Sequence, residues 1–316
     1  MRVLVTGATG FAGSHLVEQL LESGHTVFGL IHPASGHLPW PENERFLPIQ
    51  GDLLDLNSLR AAFERSEPEQ IYHLAGQASP GLSWRDPAGT IAVNTGGTAN
   101  MLEAAREMGR PRVLIVTSAH VFGRVSGDGE PLTEETQAAP ADPYGVSKLA
   151  AAFLAPLYWQ RYDLPVVEAR PFNHIGPRQA PGFVVPDFAS QVAAVKLGLV
   201  EPEIRVGNLD VERDFTDVRD IARAYRALAE RGEPGESYLV CSGETVSVRW
   251  LLETLIELSG CEVKVIVDPE LVRPAESPRI VGSYEKIKHH TGWTPTINLR
   301  QSLQETLIDW VDRHSR

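Results

Sequence analysis

Short apolar runs alternate with amphipathic stretches through the first two thirds of the chain. The apolar runs are rich in β-branched residues and read RVLVT, TVFGLI, QIYHLA, RVLIV and LPVVEAR. The segments between them repeat apolar residues with the period of 3.6 that is typical of a helix packed on one face. This alternation predicts an α/β fold, in which helices wrap a parallel sheet.

The alternation stops after Arg170. Pro- and Gly-rich connections follow, PFNHIGPRQAPG and VGNLDVERDF, and a last amphipathic helix is predicted near Leu299 to Arg313. We therefore predict a nucleotide-binding domain over residues 1–172 and a smaller, mainly substrate-binding lobe over residues 173–316. Elements of residues 208–245, approximately, should return to the first domain. No repeat or composition shift marks a linker, so both parts should fold as one unit.

Composition narrows the class of protein. The 316 residues are 42% hydrophobic, enough for a large core. With 29 Lys+Arg against 41 Asp+Glu, the net charge of -12 opposes non-specific nucleic-acid binding. The two cysteines, Cys241 and Cys261, lack metal-ligand or redox spacing and suit a reducing cytosol. Neither a signal peptide nor the ~18 apolar residues of a membrane helix is recognisable. We expect a cytoplasmic protein that binds no metal, nucleic acid or membrane.

A glycine-rich turn follows the first predicted strand, and an apolar helix face follows the turn until Gly24 provides a stop. In such a unit one glycine makes the turn, one lets backbone approach a pyrophosphate, and one lets helix pack on strand. The helix N-terminus then donates N–H groups to the anion. This predicts a dinucleotide-binding, doubly wound Rossmann sheet. The cofactor-binding residues predicted in this loop are Gly7, Thr9, Gly10, Phe11, Ala12 and Gly13.

The glycine spacing, G-x-x-G-x-x-G, resembles that of the short-chain dehydrogenase/reductase superfamily. An acid about 20 residues past this loop would bind the ribose 2′-hydroxyl of NAD, but the second strand ends in GLIHP. His32 or Ser35 could instead donate to a 2′-phosphate, which favours NADP(H) and leaves NAD(H) possible. By the resemblance, Asp52 and Leu53 bracket the adenine, although Asp52 could equally cap a helix. The turn Leu74-Ala75-Gly76 resembles the second cofactor-contacting loop.

A candidate catalytic trio comes from two distant segments. Tyr144 and Lys148 stand four positions apart, so they share one helix face, and Asp142 and Pro143 are typical of its N-cap and first turn. The ammonium should lower the tyrosine pKa from ~10 toward neutrality. Ser118, at the end of the fifth strand, could bind the oxygen that Tyr144 protonates. The trio predicts hydride transfer, although a surface helix would explain the Tyr/Lys spacing alone.

Joined to the glycine loop, the trio resembles the extended short-chain dehydrogenases that act on nucleotide sugars. The resemblance implies that Asn94 kinks a helix and supports the lysine, a packing amide being the alternative. It also implies that the turn RPFNHIGP contacts the nicotinamide and, through Asn173, the sugar phosphate. The additional cofactor-binding residues are Asn94, Pro171 and His174.

Two further segments, GNLDVERDF and RPAE, resemble GDP-mannose 4,6-dehydratases and their partner reductases. By that resemblance Arg213 and Arg273 hold the diphosphate, as bidentate guanidiniums can, and Glu276 binds the guanosine ribose hydroxyls. Surface ion pairs with Asp214 or Glu276 would explain either arginine alone. The predicted substrate-binding residues are Ser83, Ser118, His120, Asn173, Arg178, Asn208, Arg213, Arg273 and Glu276.

His120 bears on which reaction is implied. A 4,6-dehydratase removes a proton from carbon 5 and expels the carbon 6 hydroxyl, so it carries a carboxylate where this chain has His120. A 4-ketoreductase needs only hydride, a proton donor and an orienting hydroxyl. The resemblance therefore implies NAD(P)H-dependent reduction of GDP-4-dehydro-6-deoxy-D-mannose to GDP-D-rhamnose, or to GDP-6-deoxy-D-talose if the sugar binds the other way up. His120 is then either a hydrogen-bonded loop histidine or a substitute base.

Rival functions and the assembly remain open at this point. A dehydratase or 4-epimerase would show no net oxidation of its cofactor, and a non-enzymatic NADP sensor would not need the Tyr/Lys pair. In the family the helix carrying that pair forms a homodimer interface. Phe153, Leu157 and Tyr158 make an apolar stripe there, which a partner or the monomer core could cover. We expect a homodimer, with Pro156 kinking the helix.

Overall fold

The computed structural model describes residues 1–33, 42–125, 129–271 and 277–315. The β-strands in these ranges are β1 (Arg2–Thr6), β2 (Thr26–Ile31), β3 (Phe46–Gln50), β4 (Gln70–His73), β5 (Arg112–Val116), β6 (Val166–Pro171), β7 (Asn173–Ile175), β8 (Glu203–Val206), β9 (Glu212–Asp217), β10 (Ser237–Val240), β11 (Thr245–Ser247), β12 (Lys264–Val267) and β13 (Arg279–Ile280). The α-helices are α1 (Phe11–Glu22), α2 (Leu56–Ser66), α3 (Pro80–Arg85), α4 (Pro87–Ile91), α5 (Gly97–Glu107), α6 (Pro143–Tyr162), α7 (Val184–Lys196), α8 (Val218–Arg231), α9 (Val248–Ser259), α10 (Glu285–Thr291) and α11 (Leu299–His314). A π-helical turn covers Ala92–Gly96, and 3-10 turns cover Ala119–Phe122 and Pro269–Leu271.

Seven strands form the central sheet in the order β10-β6-β5-β4-β1-β2-β3. Every neighbouring pair is parallel. The chain proceeds outward from β1 first in one direction and then in the other, so the order reverses between β1 and β4. Ligands of such sheets bind outside the carboxyl ends of the strands at this reversal. The predicted α/β, doubly wound fold is confirmed.

Helices cover both faces of the sheet because its inner strands are apolar on both sides. Val3 and Val5 of β1 pack with Leu16 of α1, whereas Leu4 between them packs with Leu102 of α5. All five side chains are fully buried. Each such burial stabilises the fold by about 1.5–3 kcal/mol. Two-sided burial is what makes these strands continuous apolar runs in the sequence.

The smaller lobe has its own core. Strand β9 pairs with β7, β11 and β13, and β8 pairs with β12. Helices α7, α9 and α11 pack against one another and against this sheet. Two elements from this part of the chain pack with the first domain instead. Helix α8 packs on α1, and β10 is an edge strand of the central sheet. The lobe strands carry no clear sequence period, because they are only two to six residues long and partly exposed.

Helix α6 starts as its sequence predicts and continues through Pro156. Asp142 is the N-cap, accepting from the Gly145 N–H at 2.6 Å, and Pro143 lies in the first turn. Phe153 and Leu157 are 60% and 56% exposed. Packing in the monomer core is therefore the wrong explanation for these two residues. Across the described parts of the chain, none of the helices has both the length and the apolarity to cross a bilayer.

Candidate active site

The glycine loop between β1 and α1 has the geometry of a tight phosphate-binding turn. Gly7 has a φ of 72°, which residues with a side chain rarely adopt. A Cβ on Gly13 would lie 2.0 Å from the Gly7 carbonyl oxygen, so only glycine lets α1 approach the strand this closely. Gly10 is the N-cap, and no side chain of the described residues caps α1. The first N–H groups of this helix therefore suit an anion.

The turn Leu74-Ala75-Gly76 lies directly against the glycine loop. The Ala75 N–H donates to Thr6 Oγ1 at 3.1 Å. A Cβ on Gly7 would come within 2.8 Å of the Ala75 nitrogen, and one on Gly76 would come within 3.6 Å of Lys148 Nζ. Two tight loops thus line the crevice where the strand order reverses. Their glycines leave open the close backbone approach that a dinucleotide requires, so the residues present fit such a cofactor.

Ser118, Tyr144 and Lys148 lie together beyond the carboxyl end of β5. The Tyr144 hydroxyl is hydrogen-bonded to Ser118. Lys148 Nζ donates to the Val116 carbonyl at 3.0 Å and lies 5.9 Å from the centroid of the Tyr144 ring. None of the three residues is more than 8% exposed. A ketone in this place would meet a phenol, a hydroxyl and an ammonium in a largely dry site.

Burial sets the protonation of this trio. It raises the pKa of Tyr144 to about 12, and the hydrogen bond with Ser118 offsets this only in part. Burial also lowers the pKa of Lys148 to about 8, against the opposing effect of Glu168. The expectation that the ammonium brings the tyrosine pKa toward neutrality is wrong for this chain, because lost hydration disfavours the phenolate more. The phenol is held in its protonated, proton-donating form.

Asn94 lies in the π-helical turn between α4 and α5 and is 2% exposed. Its amide nitrogen donates to the Gln77 carbonyl at 3.0 Å and to Ser147 Oγ at 2.9 Å, and its oxygen accepts from the Gln77 N–H at 2.8 Å. Ser147 is the neighbour of Lys148 on α6. Asn94 therefore joins the loop after β4 to the helix that carries the lysine.

His32 and Asp52, which are predicted to lie near the adenine, follow the adjacent strands β2 and β3. His32 Nε2 lies 3.7 Å from Asp52 Oδ2, and both side chains are almost half exposed. Asp55 is the N-cap of α2, so the helix-cap alternative for Asp52 is wrong. A carboxylate thus lies beside the end of β2, although in the sequence it follows β3 and not β2. Leu53 is buried, and Ser35 lies outside the described residues.

The turn after β6 lies against the glycine loop. Pro171 ends β6 and is buried. The His174 ring stacks on Phe11, with centroids 5.7 Å apart and planes 9° apart, and its Nδ1 donates to the Phe172 carbonyl at 3.0 Å. Burial lowers the pKa of His174. Asn173 is exposed, and its amide nitrogen donates to the Asp214 carbonyl at 3.2 Å, so the turn contacts both the glycine loop and β9.

The predicted substrate residues lie in different surroundings. Arg213 stands on β9, where its Nη1 donates to the Glu212 carbonyl at 2.8 Å, and Asn208 is exposed in the preceding loop. Ser83 is buried, and its hydroxyl donates to the Pro80 carbonyl at 2.7 Å within α3. Arg273 and Glu276 lie outside the described residues.

Arg178 is bound against helix α1. Its Nη2 donates to Glu18 Oε2 and to His15 Nδ1, each at 2.7 Å. Because Nδ1 accepts, His15 carries its proton on Nε2 and donates to the Pro177 carbonyl at 3.0 Å. Burial, followed by the charge of Arg178, lowers the pKa of His15. The guanidinium thus ties the turn after β7 to the helix that follows the glycine loop.

His120 is a hydrogen-bonded residue at the edge of the trio. Its Nδ1 lies 3.2 Å from Asp142 Oδ2, its N–H donates to Ser118 Oγ at 3.2 Å, and its ring meets Tyr144 edge-on at 5.5 Å. Burial alone would raise the pKa of Asp142, but hydrogen bonds from His120 and the Gly145 N–H outweigh it and lower that pKa. These contacts match the interpretation of His120 as a hydrogen-bonded loop histidine.

Two buried acids near the site escape prediction from the sequence. Glu168 lies inside β6 and Asp214 inside β9, and they are 1% and 0% exposed. Asp214 accepts from the Ser242 N–H at 2.8 Å and the Gly243 N–H at 3.0 Å, which holds the lobe sheet to the end of β10. Burial raises the pKa of Asp214 despite these bonds. An acid within the apolar run VVEAR is the signal that could have revealed Glu168.

The sequence matches the family model described as GDP-mannose 4,6 dehydratase over residues 4–306. A GDP-6-deoxy-D-mannose reductase from Pseudomonas aeruginosa is 39% identical over 99% of this chain and 98% of its own length. A GDP-mannose 4,6-dehydratase from Vibrio cholerae is 28% identical over 98% of this chain and 93% of its own length.

Solved structures are similar over the whole chain. The structure of RMD from Pseudomonas aeruginosa complexed with NADPH has a TM-score of 0.87 at 38% identity, covering 99% of this chain and 100% of that one. A UDP-glucose 4-epimerase from Thermotoga maritima, solved with UDP-glucose, has a TM-score of 0.90 at 28% identity, covering 100% and 99%. This chain therefore belongs to the GDP-mannose 4,6 dehydratase family, within the nucleotide-sugar branch of the extended short-chain dehydrogenases/reductases.

Proposed function

We propose that this protein reduces the 4-keto group of GDP-4-dehydro-6-deoxy-D-mannose to give GDP-D-rhamnose. The observation that carries the proposal is the buried cluster of Ser118, Tyr144 and Lys148 beside the glycine loops, with His120 in place of a carboxylate. That set provides proton donation and orientation of a ketone. The similarity to a GDP-6-deoxy-D-mannose reductase supports the same substrate class.

We infer that the cofactor is NADP(H), with NAD(H) as the alternative. Support comes from the Pseudomonas aeruginosa structure solved with NADPH, whereas a Thermus thermophilus UDP-glucose 4-epimerase was solved with NAD. His32 would donate to a 2′-phosphate, and Asp52 beside it would accept from a 2′-hydroxyl. The loop residues around Gly7 and the turn at Ala75 would hold the dinucleotide. When bound, it supplies hydride to carbon 4.

Side chains of the protein would donate the proton and stabilise the negative charge that develops during the reaction. Tyr144, whose pKa of about 12 keeps it protonated, donates its proton to the ketone oxygen as negative charge develops there. Ser118 donates a hydrogen bond to the same oxygen and fixes its direction. Lys148 stabilises the phenolate that remains. Arg213 and Arg273 would hold the diphosphate and Glu276 the guanosine ribose, while Asn173, Asn208 and His120 would border the sugar nucleotide. The predicted substrate contacts of Ser83 and Arg178 are not part of this proposal, because Ser83 is fully buried and the Arg178 guanidinium is bound to Glu18 and His15.

One incubation tests the proposal. Purified protein is mixed with the 4-keto nucleotide sugar and NADPH. We expect loss of reduced-nicotinamide absorbance equal to the sugar consumed, and NMR of the product identifies rhamnose or 6-deoxy-talose. A dehydratase or 4-epimerase would convert its nucleotide sugar without net loss of reduced cofactor. Binding of NADPH without turnover would support a sensor instead.

We also infer a cytoplasmic homodimer. Phe153 and Leu157 expose apolar surface on α6, and covering such surface is the usual reason for association. Both cysteines are free thiols, which is compatible with a reducing compartment.

A further inference from the structure

A buried charged network lies within the central sheet, underneath the trio. Glu168 of β6 accepts hydrogen bonds from the hydroxyls of Thr117, which follows β5, and of Ser237 on β10. Arg170 on the same strand donates to it through Nε at 3.0 Å and Nη2 at 2.9 Å. Glu168 and Arg170 are 1% and 7% exposed. Four donors around one carboxylate are what a buried anion needs.

The end of β5 connects this network to the site. Val116 accepts from Lys148 Nζ, Thr117 donates to Glu168, and the Ser118 hydroxyl interacts with Tyr144. Three consecutive residues at the end of β5 therefore contact, in order, Lys148, Glu168 and Tyr144. Movement of Glu168 would displace the strand end that the other groups depend on.

Lys148 needs a counter-charge, because an ammonium that is 8% exposed has lost most of its hydration. Burial lowers its pKa to about 8, and Glu168 opposes that shift. His73 is not a competing cation, because burial lowers its pKa to about 3. Asp142 is already engaged by His120 and the Gly145 N–H. The titratable and charged groups around this lysine are His73, His120, Asp142, Tyr144, Glu168 and Arg170.

We propose that Glu168 is a positioning residue of this active site: its buried carboxylate, held by four donors, fixes the end of β5 on which Lys148 and Ser118 depend. The same carboxylate supports the positive charge of Lys148. Arg170 holds the Glu168 carboxylate in place and balances its charge on the side of Phe122, over whose ring the guanidinium lies at 5.4 Å. The kinetic consequence rests on the proposed ketone reduction. The charge state of Lys148 does not, and it can be measured in the protein alone.

The test uses the small number of lysines in the chain. There are five, Lys148, Lys196, Lys264, Lys286 and Lys288, so carbon-13 labelling of lysine gives five side-chain signals to follow by NMR as pH rises. Lys148→Met identifies the signal of interest. We expect the Lys148 midpoint in Glu168→Gln to be lower than in the wild type by about one pH unit, the order of effect of one nearby charge. Thr117→Val, which removes a hydrogen bond and keeps the charge, should leave the midpoint near the wild-type value.

A Lys148 midpoint that is the same in Glu168→Gln and the wild type overturns the proposal. If Glu168→Gln does not fold, Glu168→Gln with Arg170→Met removes both charges without leaving an unpaired guanidinium. The Lys148 midpoint should then also be lower than in the wild type, but by less than about one pH unit, because the loss of the Arg170 cation partly offsets the loss of the Glu168 anion. In the reductase assay, kcat of the folded variant should begin to fall at a lower pH than kcat of the wild type, by the same shift as the Lys148 midpoint. If the wild type reduces the ketone and the Lys148 midpoint is unchanged in Glu168→Gln, the proposed role of Glu168 is wrong and the proposed function is unaffected. If the wild type does not reduce the ketone, the proposed function is wrong, and the NMR result on Lys148 is unaffected.

Discussion

Tyr144 and Lys148 lie one turn apart at the start of α6, yet their pKa values move in opposite directions. Both shifts have one cause: burial favours the neutral phenol and the neutral amine. A neutral phenol is the form that can protonate a developing alkoxide. For the lysine, burial disfavours the charged form, which is the form that stabilises a phenolate. The nearby anion of Glu168 matters because it opposes this effect.

Tyr144→Phe tests the proton donor. We expect kcat to fall by a factor of about 10²–10⁴, the usual contribution of a general acid, while the unfolding free energy changes by only about 1 kcal/mol for the lost hydrogen bond to Ser118. Cofactor oxidation and urea unfolding measure the two effects. Tyr162→Phe, on the same helix but outside the trio, is the matched control. Undiminished turnover in Tyr144→Phe would contradict the assigned role.

Burial of His73 makes this residue one source of acid sensitivity in the fold. Its ring nitrogens lie 2.8 Å from Thr6 Oγ1 and 3.0 Å from Thr98 Oγ1, and burial lowers its pKa from 6.5 to about 3. Below pH 6.5 the unfolded chain takes up a proton that the folded protein refuses, so the unfolding free energy should fall as pH falls from 6.5 toward 3. His73→Gln should flatten this slope in urea unfolding, and the exposed His289→Gln should not. An equal slope in wild type and His73→Gln would refute it.

At the scale of elements, the contact between β1 and α1 depends on one missing side chain. Gly13→Ala would place a Cβ 2.0 Å from the Gly7 carbonyl, so strand and helix must separate. We expect at least tenfold weaker dinucleotide binding by calorimetry and a loss of about 1–3 kcal/mol from overpacking.

The matched control for Gly13→Ala is Gly96→Ala. Gly96 is helical, with a φ of -64°, and an added Cβ there meets nothing within 4 Å. That substitution should leave binding intact and stabilise the protein by about 0.5–1 kcal/mol. Equal binding by both variants would show that the glycine loop does not hold the dinucleotide.

At the scale of the whole molecule, α6 combines two tasks on opposite faces. Its buried face holds Tyr144 and Lys148, and its outer face exposes Phe153 and Leu157. If these cover a partner copy, Phe153→Glu should convert a dimer to a monomer in sedimentation equilibrium, because a buried unpaired carboxylate is costly. Val267→Glu, at a 58% exposed position on β12, should leave the assembly unchanged. A monomeric wild-type protein would rule out the homodimer.

Much of the central architecture could be predicted because local patterns encode it. Strands buried on both faces become continuous apolar runs, a strand–turn–helix unit needs its glycines, and a spacing of four places Tyr144 and Lys148 on one helix face. The short lobe strands could not be predicted, since two to six partly exposed residues leave no period to detect.

The sequence by itself determined the α/β class, the glycine loop and the pairing of Tyr144 with Lys148, because each depends on a pattern among residues that are close together along the chain. It also singled out Ser118, but only the tertiary structure brought that residue to the pair. Only the tertiary structure decided the pairing of Arg178 with Glu18, which lie 160 positions apart, the approach of Asp52 to His32, and the contacts of Glu168 with Thr117 and Ser237. It also decided the direction of the tyrosine pKa. The physical reason is the same in each case: desolvation and charge act through space, and the distances that govern them exist only once the chain has folded.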